Sequence, residues 1–526
     1  MTASTVAAAL AAWIQREAGG VAFLVAGAQI DAVVTACADA DVQLVPTASE
    51  FGAAAAADAR ARVTGGVGVC LTIGGPGLSG AAAALNVARA HDSRVVAFSG
   101  DVPTWLSGRG GFQDAAGDGA VGTATLGASR RIGAAADLGP VLAWLDERAG
   151  ARRASHVIVP WDVQRATRPS GPGTDTDTDT SGATRPAVAR PSAAAIASRA
   201  RRLADRPVLV LAERPCHADE PSLSDFVAAG GRIVLTVDAL GALDRAVTAG
   251  VVDPAGRGGL VDALATGPAD LVVQVGGRLG ERSLGIAPDA LAERCRLVHV
   301  AGHPDGPCTA IADVCTEGLD GTTWPERIDG RRGQDLPVPG SEPPRGEADG
   351  VVGAIESVVP AGSVLVVDAG RARSAVARRW RGDGRGQVLS ATEGGPMGWS
   401  LGAAVGAASA AQGPVVVLLG DGSALLAAGE LRAVAATGAD IRVVLLADGG
   451  YSTVRTRLPG RVAHDVTSLP GEVDWVALGR SVGLAARRVA PSSLGAAVAQ
   501  AGPSLTVVDL PVDGDAAGHG WRGGGA

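Results

Sequence analysis

Two carboxylates set about one strand–helix unit apart, Asp421 and Asp448, are the residues of this 526-residue chain best suited to hold a metal ion against a phosphate. Asp421 lies in Gly420-Asp421-Gly422-Ser423, directly after the apolar run Val415 to Leu419. That pattern predicts a buried strand opening into a helix over Ala424 to Ala436. At such a turn, free backbone amides can meet a phosphate, glycines allow close approach, and the helix N-terminus favours an anion. Asp421 adds the hard oxygen that Mg²⁺ needs to bridge onto a diphosphate. The next apolar run, Val443 to Leu446, ends in Ala447-Asp448-Gly449-Gly450-Tyr451. A second carboxylate thus reaches the carboxyl end of the adjacent strand, where ligands of open α/β sheets bind. Asp with Gly at a strand end also makes a plain turn, so the pair carries more weight than either member.

A third carboxylate, Glu50, stands in Ala48-Ser49-Glu50-Phe51-Gly52-Ala53-Ala54, ahead of Gly65-Gly66-Val67-Gly68-Val69-Cys70 and Gly74-Gly75-Pro76-Gly77. A lone Glu there suits either proton transfer or the N-terminal charge of a helix through Ala53 to Ala59. A third glycine-rich segment reads Gly394-Gly395-Pro396-Met397-Gly398-Trp399.

In this order and spacing, the three segments resemble the thiamine-diphosphate enzymes that include acetolactate synthase, pyruvate oxidase and benzoylformate decarboxylase. The resemblance implies a diphosphate site of Gly420, Asp421, Gly422, Ser423, Asp448, Gly450 and Tyr451, with Mg²⁺ held by Asp421, Asp448 and the Gly450 carbonyl. The family has an Asn pair where this chain has Ala447 and Asp448, so an extra negative charge stands beside the diphosphate. Glu50 takes the place of the family's glutamate, which hydrogen-bonds the aminopyrimidine ring and promotes the tautomer that deprotonates the thiazolium carbon. Met397 would be the wedge that bends the cofactor, with the Gly395 carbonyl accepting from the pyrimidine amino group. As a plain residue, Met397 also reads as core filler, the lesser of the two readings.

Subtype signals are fewer. Gly27-Ala28-Gln29 lacks the Asp that simple pyruvate decarboxylases carry there, and the chain has no His-His pair. Gly111-Phe112-Gln113-Asp114 resembles the Phe-Gln-Glu of acetolactate synthases, whose Phe and Gln line the acceptor pocket. Ala28, Gln29, Phe112 and Gln113 are therefore the candidate substrate residues; Arg130 or Arg131, slightly out of step, is the basic counterpart or else part of a surface pair, and His91 reads as a solvated helix end and is unassigned. The expected reaction is decarboxylation of a donor 2-oxo acid and transfer to a carbonyl acceptor. A non-oxidative 2-oxo-acid decarboxylase is the alternative, and a non-catalytic partner subunit is a further one. Since the family builds each site from two subunits, a homodimer or homotetramer is implied.

The elements that must position these residues read as α/β throughout. Apolar runs at Ala22 to Val25, Val67 to Leu71, Val95 to Phe98 and His156 to Val159 precede helical segments and predict a parallel sheet in an N-terminal pyrimidine-binding domain, 1–167. A Pro/Gly/Thr-Asp stretch, 168–191, reads as a flexible linker. Runs at Val208 to Leu211, Ile233 to Thr236, Leu271 to Val275 and Leu297 to Val300 define a central Rossmann-like domain, 192–333. Its first strand runs into Glu213-Arg214-Pro215, without the glycines a flavin diphosphate needs, so FAD is not expected and the domain is read as a spacer. After a second linker, 334–347, the diphosphate- and Mg-binding domain spans 348–512 with runs at Val364 to Val367, Val415 to Leu419, Val443 to Leu446 and Leu505 to Val508; a Gly-rich tail, 513–526, follows.

Composition narrows the class. A net charge of −8 gives no basic field for nucleic acid or anionic lipid. Six scattered cysteines with no CxxC pair indicate neither a zinc site nor a disulfide framework, which fits a reducing cytoplasm. The start, through Glu17, reads as an amphipathic helix rather than an export signal. The uncharged stretches Val63 to Ala88 and Gly394 to Gly420 are broken by Gly-Pro turns, so no membrane span is expected.

Overall fold

The computed structural model describes residues 4–114, 117–150, 153–167, 193–212, 220–240, 346–380, 386–392, 394–455, 458–469 and 471–511, with 250–251, 260, 264, 269–275, 291, 295–301 and 313–316 of the middle sheet. Both linkers, the Gly-rich tail and the Glu213-Arg214-Pro215 segment fall outside these residues or nearly so.

Among the described residues, the chain forms three six-stranded parallel sheets. The first contains β1 (Val21–Leu24), β2 (Gln43–Pro46), β3 (Gly68–Thr72), β4 (Val95–Asp101), β5 (Ser129–Arg131) and β6 (Ser155–Pro160), in the order β2-β1-β3-β4-β6-β5. The second holds β7 (Pro207–Leu211), β8 (Arg232–Leu235), β9 (Gly250–Val251), β10 (Leu271–Val275), β11 (Arg296–Ala301) and β12 (Asp313–Thr316), ordered β12-β11-β10-β7-β8-β9. The third holds β13 (Ser363–Val367), β14 (Gly386–Ser390), β15 (Val415–Gly420), β16 (Ile441–Ala447), β17 (Ala485–Val489) and β18 (Ser504–Asp509), ordered β14-β13-β15-β16-β18-β17. The first and third sheets therefore repeat one topology, reversing direction between β1 and β3 and between β13 and β15. In open α/β sheets the crevice at such a reversal is the ligand site.

The chain divides into two compact units. One comprises 1–188 with Leu401–Ala410 and Gly429–Thr437, and the other comprises the remainder. In the first unit, Trp13 packs edge-on against Phe98, ring centroids 5.9 Å apart, inside the core between helix and sheet. Helix Glu50–Thr64 buries Ala53 through Ala57 completely. Its small side chains let other backbone come close: a Cβ added at Gly68 would lie 1.9 Å from the Ala57 carbonyl oxygen, and one at Gly406 would lie 1.9 Å from that of Ala56. In the second unit, residues of the middle and third sheets, among them Leu209, Ile233, Leu365 and Val416, share one apolar cluster with helix Glu347–Val358.

Two expectations change. The helix predicted over Ala424 to Ala436 is two helices, Asp421–Leu426 and Glu430–Ala436, broken at Gly429. The break falls where the chain passes from the second unit into the first, and a Cβ at Gly429 would press to 3.2 Å from that of Ala48. His91 does end a helix, Pro76–Ala90, but it is buried rather than solvated, its Nδ1 lying 2.9 Å from the Val87 carbonyl oxygen. Among the described residues no helix is long and apolar enough to cross a membrane.

Candidate functional site

In the first unit the chain leaves β2 through Thr47-Ala48-Ser49. Ser49 caps helix Glu50–Thr64, its Oγ accepting from the Gly52 amide at 3.0 Å. The Glu430 carboxylate closes on this cap, accepting from Ser49 Oγ at 2.7 Å and from the Ala48 amide at 3.2 Å. Burial raises the pKa of Glu430, against the pull of these donors. Gly52 is required here, since a Cβ would stand 2.2 Å from Glu430 Oε1. Glu50 itself is half-buried, over the first turns of helix Pro76–Ala90. A Cβ at Gly77 would reach within 3.6 Å of Glu50 Oε1, and one at Gly80 within 3.4 Å of Oε2. No hydrogen bond from the described residues reaches the Glu50 carboxylate, so it faces a glycine-lined space with its acceptors unspent.

Gln29 organises the neighbouring loops. Its Oε1 accepts from the Gly74 amide at 3.0 Å, and its carbonyl accepts from Gln164 Nε2 at 2.6 Å. Its Nε2 reaches the carbonyl oxygens of Phe112 and Gln113, both at 3.5 Å. The β1–β2 loop, the Gly74-Gly75-Pro76 turn and the Phe112 loop are thereby held together. Asp118 joins them by accepting from the Gly75 amide at 2.9 Å, and burial raises its pKa. Ala28 is exposed, and Phe112 is 86% exposed. Gln113 has φ +62°, unusual for a residue with a side chain. Arg131 pairs with Asp101, and Arg130 lies 5.4 Å from the Trp144 ring centre, so both arginines have structural partners in place.

In the second unit, the strand ends of the third sheet gather the charged residues. Asp421 begins a helix straight after β15. Its Oδ1 accepts from the Gly422 amide at 2.8 Å and its Oδ2 from the Gly449 amide at 2.7 Å. The Gly422 amide is thus turned onto Asp421, not left open as the sequence suggested. Burial, and then the charge of Asp448, push the Asp421 pKa up to about 6, with the backbone donors opposing. Asp448 Oδ2 accepts from Arg371 Nη1 at 2.8 Å, both side chains being nearly inaccessible. The ring of Tyr451 covers Gly422, where a Cβ would fall 2.7 Å from Cε1 and 3.7 Å from the Gly450 carbonyl oxygen.

Asp368, just past β13, is a residue the sequence reading missed. Its Oδ1 accepts from the Gly398 amide at 3.1 Å and Ser423 Oγ at 2.9 Å, and its Oδ2 from the Ser400 amide at 3.0 Å. It thereby ties the diphosphate-motif serine to the turn carrying Met397. That turn runs through positive φ at Gly394, Gly395 and Gly398, and leaves Met397 39% exposed instead of in the core. The findable signal for Asp368 was an Asp-Ala-Gly directly after an apolar strand, the same grammar as Gly-Asp-Gly.

The donor set suits the groups expected from the resemblance. Asp421, Asp448 and the Gly450 carbonyl are hard oxygens of the kind Mg²⁺ takes, and each carboxylate oxygen already bonded keeps further lone pairs. Glu50 offers an unspent acceptor beside glycines, which fits a flat ring carrying an N–H. Among the described residues no cluster of three or more His, Cys, Asp or Glu side chains forms a metal cage.

Residues 4–120 match the N-terminal TPP binding domain of thiamine pyrophosphate enzymes, and residues 368–510 match their C-terminal TPP binding domain. An acetolactate synthase large subunit of Parasynechococcus marenigrum is 27% identical over 492 residues, covering 87% of this chain and 78% of that protein. A putative acetolactate synthase large subunit of Mycobacterium tuberculosis is 31% identical over 242 residues, 43% of this chain and 45% of that protein, so the match spans less than half of that relative. A 2-hydroxyacyl-CoA lyase 2 of Danio rerio is 37% identical over 92 residues, 18% of this chain and 15% of that protein.

Proposed function

The chain belongs to the thiamine pyrophosphate enzyme family, and from that premise we propose that it is an acetolactate-synthase-like carboligase that decarboxylates a donor 2-oxo acid and transfers the remainder to a carbonyl acceptor. The bound cofactor would supply a carbon nucleophile and an electron sink for the donor's carbonyl carbon. Glu50 would hold and move a proton at the aminopyrimidine ring, the Gly395 carbonyl would accept from its amino group, and Met397 would pack against that end of the cofactor. Gly420, Asp421, Gly422, Ser423, Asp448, Gly450 and Tyr451 would hold the diphosphate end, with Asp421, Asp448 and the Gly450 carbonyl offering the oxygens for Mg²⁺. A second, acceptor carbonyl compound is received beside Gln29, Phe112 and Gln113, with Ala28 at the rim. No flavin is assigned to the middle domain.

The observation that carries the carboligase reading is the hydrogen bonding of Gln29 both to the loop bearing an exposed Phe112 and to the Gly74-Gly75-Pro76 turn, which sets an aromatic ring open to solvent on a loop tied to that turn. The decisive experiment is calorimetric titration with thiamine diphosphate and Mg²⁺, followed by product analysis with pyruvate. Binding with formation of acetolactate supports the reading. Free aldehyde as the sole product assigns a simple decarboxylase instead. The local likeness to 2-hydroxyacyl-CoA lyases makes cleavage of a 2-hydroxyacyl-CoA the second assay to run. As each half-site lies in a separate compact unit, the working assembly proposed is a homodimer or homotetramer of a cytoplasmic protein, checked by light scattering.

A further inference from the structure

An acidic residue at position 448 sets a negative charge where a diphosphate is to bind, and the sequence alone offers nothing nearby to offset it. The structure does. Gly370, at φ 98° and ψ −150°, turns the chain at the end of β13, so that Arg371 opens the helix Arg371–Arg379 beside the strand carrying Asp421. From there the Arg371 guanidinium reaches across the strand ends to Asp448 Oδ2 at 2.8 Å and to the Pro511 carbonyl oxygen at 3.0 Å. Arg371 and Asp448 are 77 residues apart in sequence, and their side chains are only 5% and 7% exposed.

We propose that Arg371 is a built-in counter-charge of the diphosphate site, cancelling the charge of Asp448 so that the pair presents the neutral surface an uncharged amide would present. The inference deepens the diphosphate-site reading above and rests on it. A guanidinium stays charged at every pH the protein experiences, so the compensation persists whether or not a metal ion is bound. Buried ion pairs are sensitive to the loss of one partner and tolerant of joint replacement by neutral groups, which makes the proposal testable as a double substitution.

The test is calorimetric titration of thiamine diphosphate at saturating MgCl₂ into the full chain, for wild type, Arg371→Gln and Arg371→Gln with Asp448→Asn, each checked by thermal melting. The single variant leaves Asp448 uncompensated, and affinity should fall by at least ~10-fold. The double variant replaces the pair with two neutral amides, and affinity should return to within about threefold of wild type, the mark of coupled sites. Wild-type affinity in Arg371→Gln overturns the inference. So does a double variant that melts like wild type yet binds as weakly as the single one. Absence of binding by the wild type would overturn the diphosphate-site reading itself, and is seen before any substitution is made.

Discussion

The first and third sheets share one strand order and carry their candidate residues on the segments that follow their strands, yet they hold them by different means. Around Glu50 the support is small side chains and backbone: glycines at 52, 77 and 80, buried alanines from 53 to 57, and one carboxylate, Glu430, set on the helix cap. Around Asp421 it is charge: Asp448 against Arg371, Asp368 accepting from Gly398, Ser400 and Ser423, and Asp421 accepting from two glycine amides. The lesson is that a common topology fixes where a ligand binds and leaves open how its contacts are secured. A functional group held by packing can be altered with little structural consequence, whereas one woven into a charge network cannot.

The sharpest way to break that comparison is a pair of substitutions. Glu50→Gln should leave the melting curve unchanged, because no described hydrogen bond depends on the carboxylate, while turnover falls roughly 10²–10⁴-fold with the proton-transfer role. Near-normal turnover removes Glu50 from the mechanism. Asp421→Ala should weaken Mg²⁺ and cofactor binding together, by roughly 10–100-fold in calorimetric titration. It should also lower the melting temperature, since the Gly422 and Gly449 amides lose their acceptor. If Glu50→Gln destabilised the fold and Asp421→Ala did not, the contrast between the two halves would be reversed.

A smaller effect tests the charged half alone. Asp368→Ala strips the acceptor from the Gly398 and Ser400 amides and from Ser423 Oγ, at a cost of roughly 2–4 kcal/mol locally. Thermal melting should show a fall of several degrees, with looser cofactor binding because the Met397 turn is no longer tied to Ser423. An unchanged melt would mean that water replaces the carboxylate without loss.

How far the sequence could be read follows from the same physics. The interior strands of all three sheets were legible as apolar runs, since a parallel strand covered on both faces is apolar at successive positions. The strands it did not reveal, β2, β5, β9, β12, β14 and β17, are the six sheet edges. Edges are short or carry polar residues, as in Ser129-Arg130-Arg131 and Ala485-Ala486-Arg487-Arg488-Val489. Motifs whose meaning lies in adjacent residues, such as Gly420-Asp421-Gly422 and Gly394-Gly395-Pro396-Met397, were likewise visible. Partners brought together only by folding were not: Arg371 for Asp448, Asp368 for Ser423, Glu430 for Ser49 and Gln29 for the Phe112 loop.

The smallest expected effect on catalysis belongs to Phe112, and it refines the packed half of the comparison. Phe112 is 86% exposed, so its ring contributes little to the fold, and truncation should stay within about 0.5 kcal/mol of wild type. Its loop is nonetheless constrained, with Gln113 at φ +62° and Gln29 bonded to both carbonyls, an arrangement that presents the ring to something outside the core. If that is the acceptor, burying part of an aromatic face against it is worth on the order of 1–2 kcal/mol, or about tenfold in rate. Decarboxylation needs only the donor and should be spared. With mixed 2-oxo acids, Phe112→Ala should therefore lower the ratio of ligated product to aldehyde about tenfold and raise the acceptor KM, with the melting curve superimposable on wild type. Equal losses in both reactions would mean that Phe112 serves the loop instead of the acceptor, and the two halves of the molecule would then differ less than their contacts suggest.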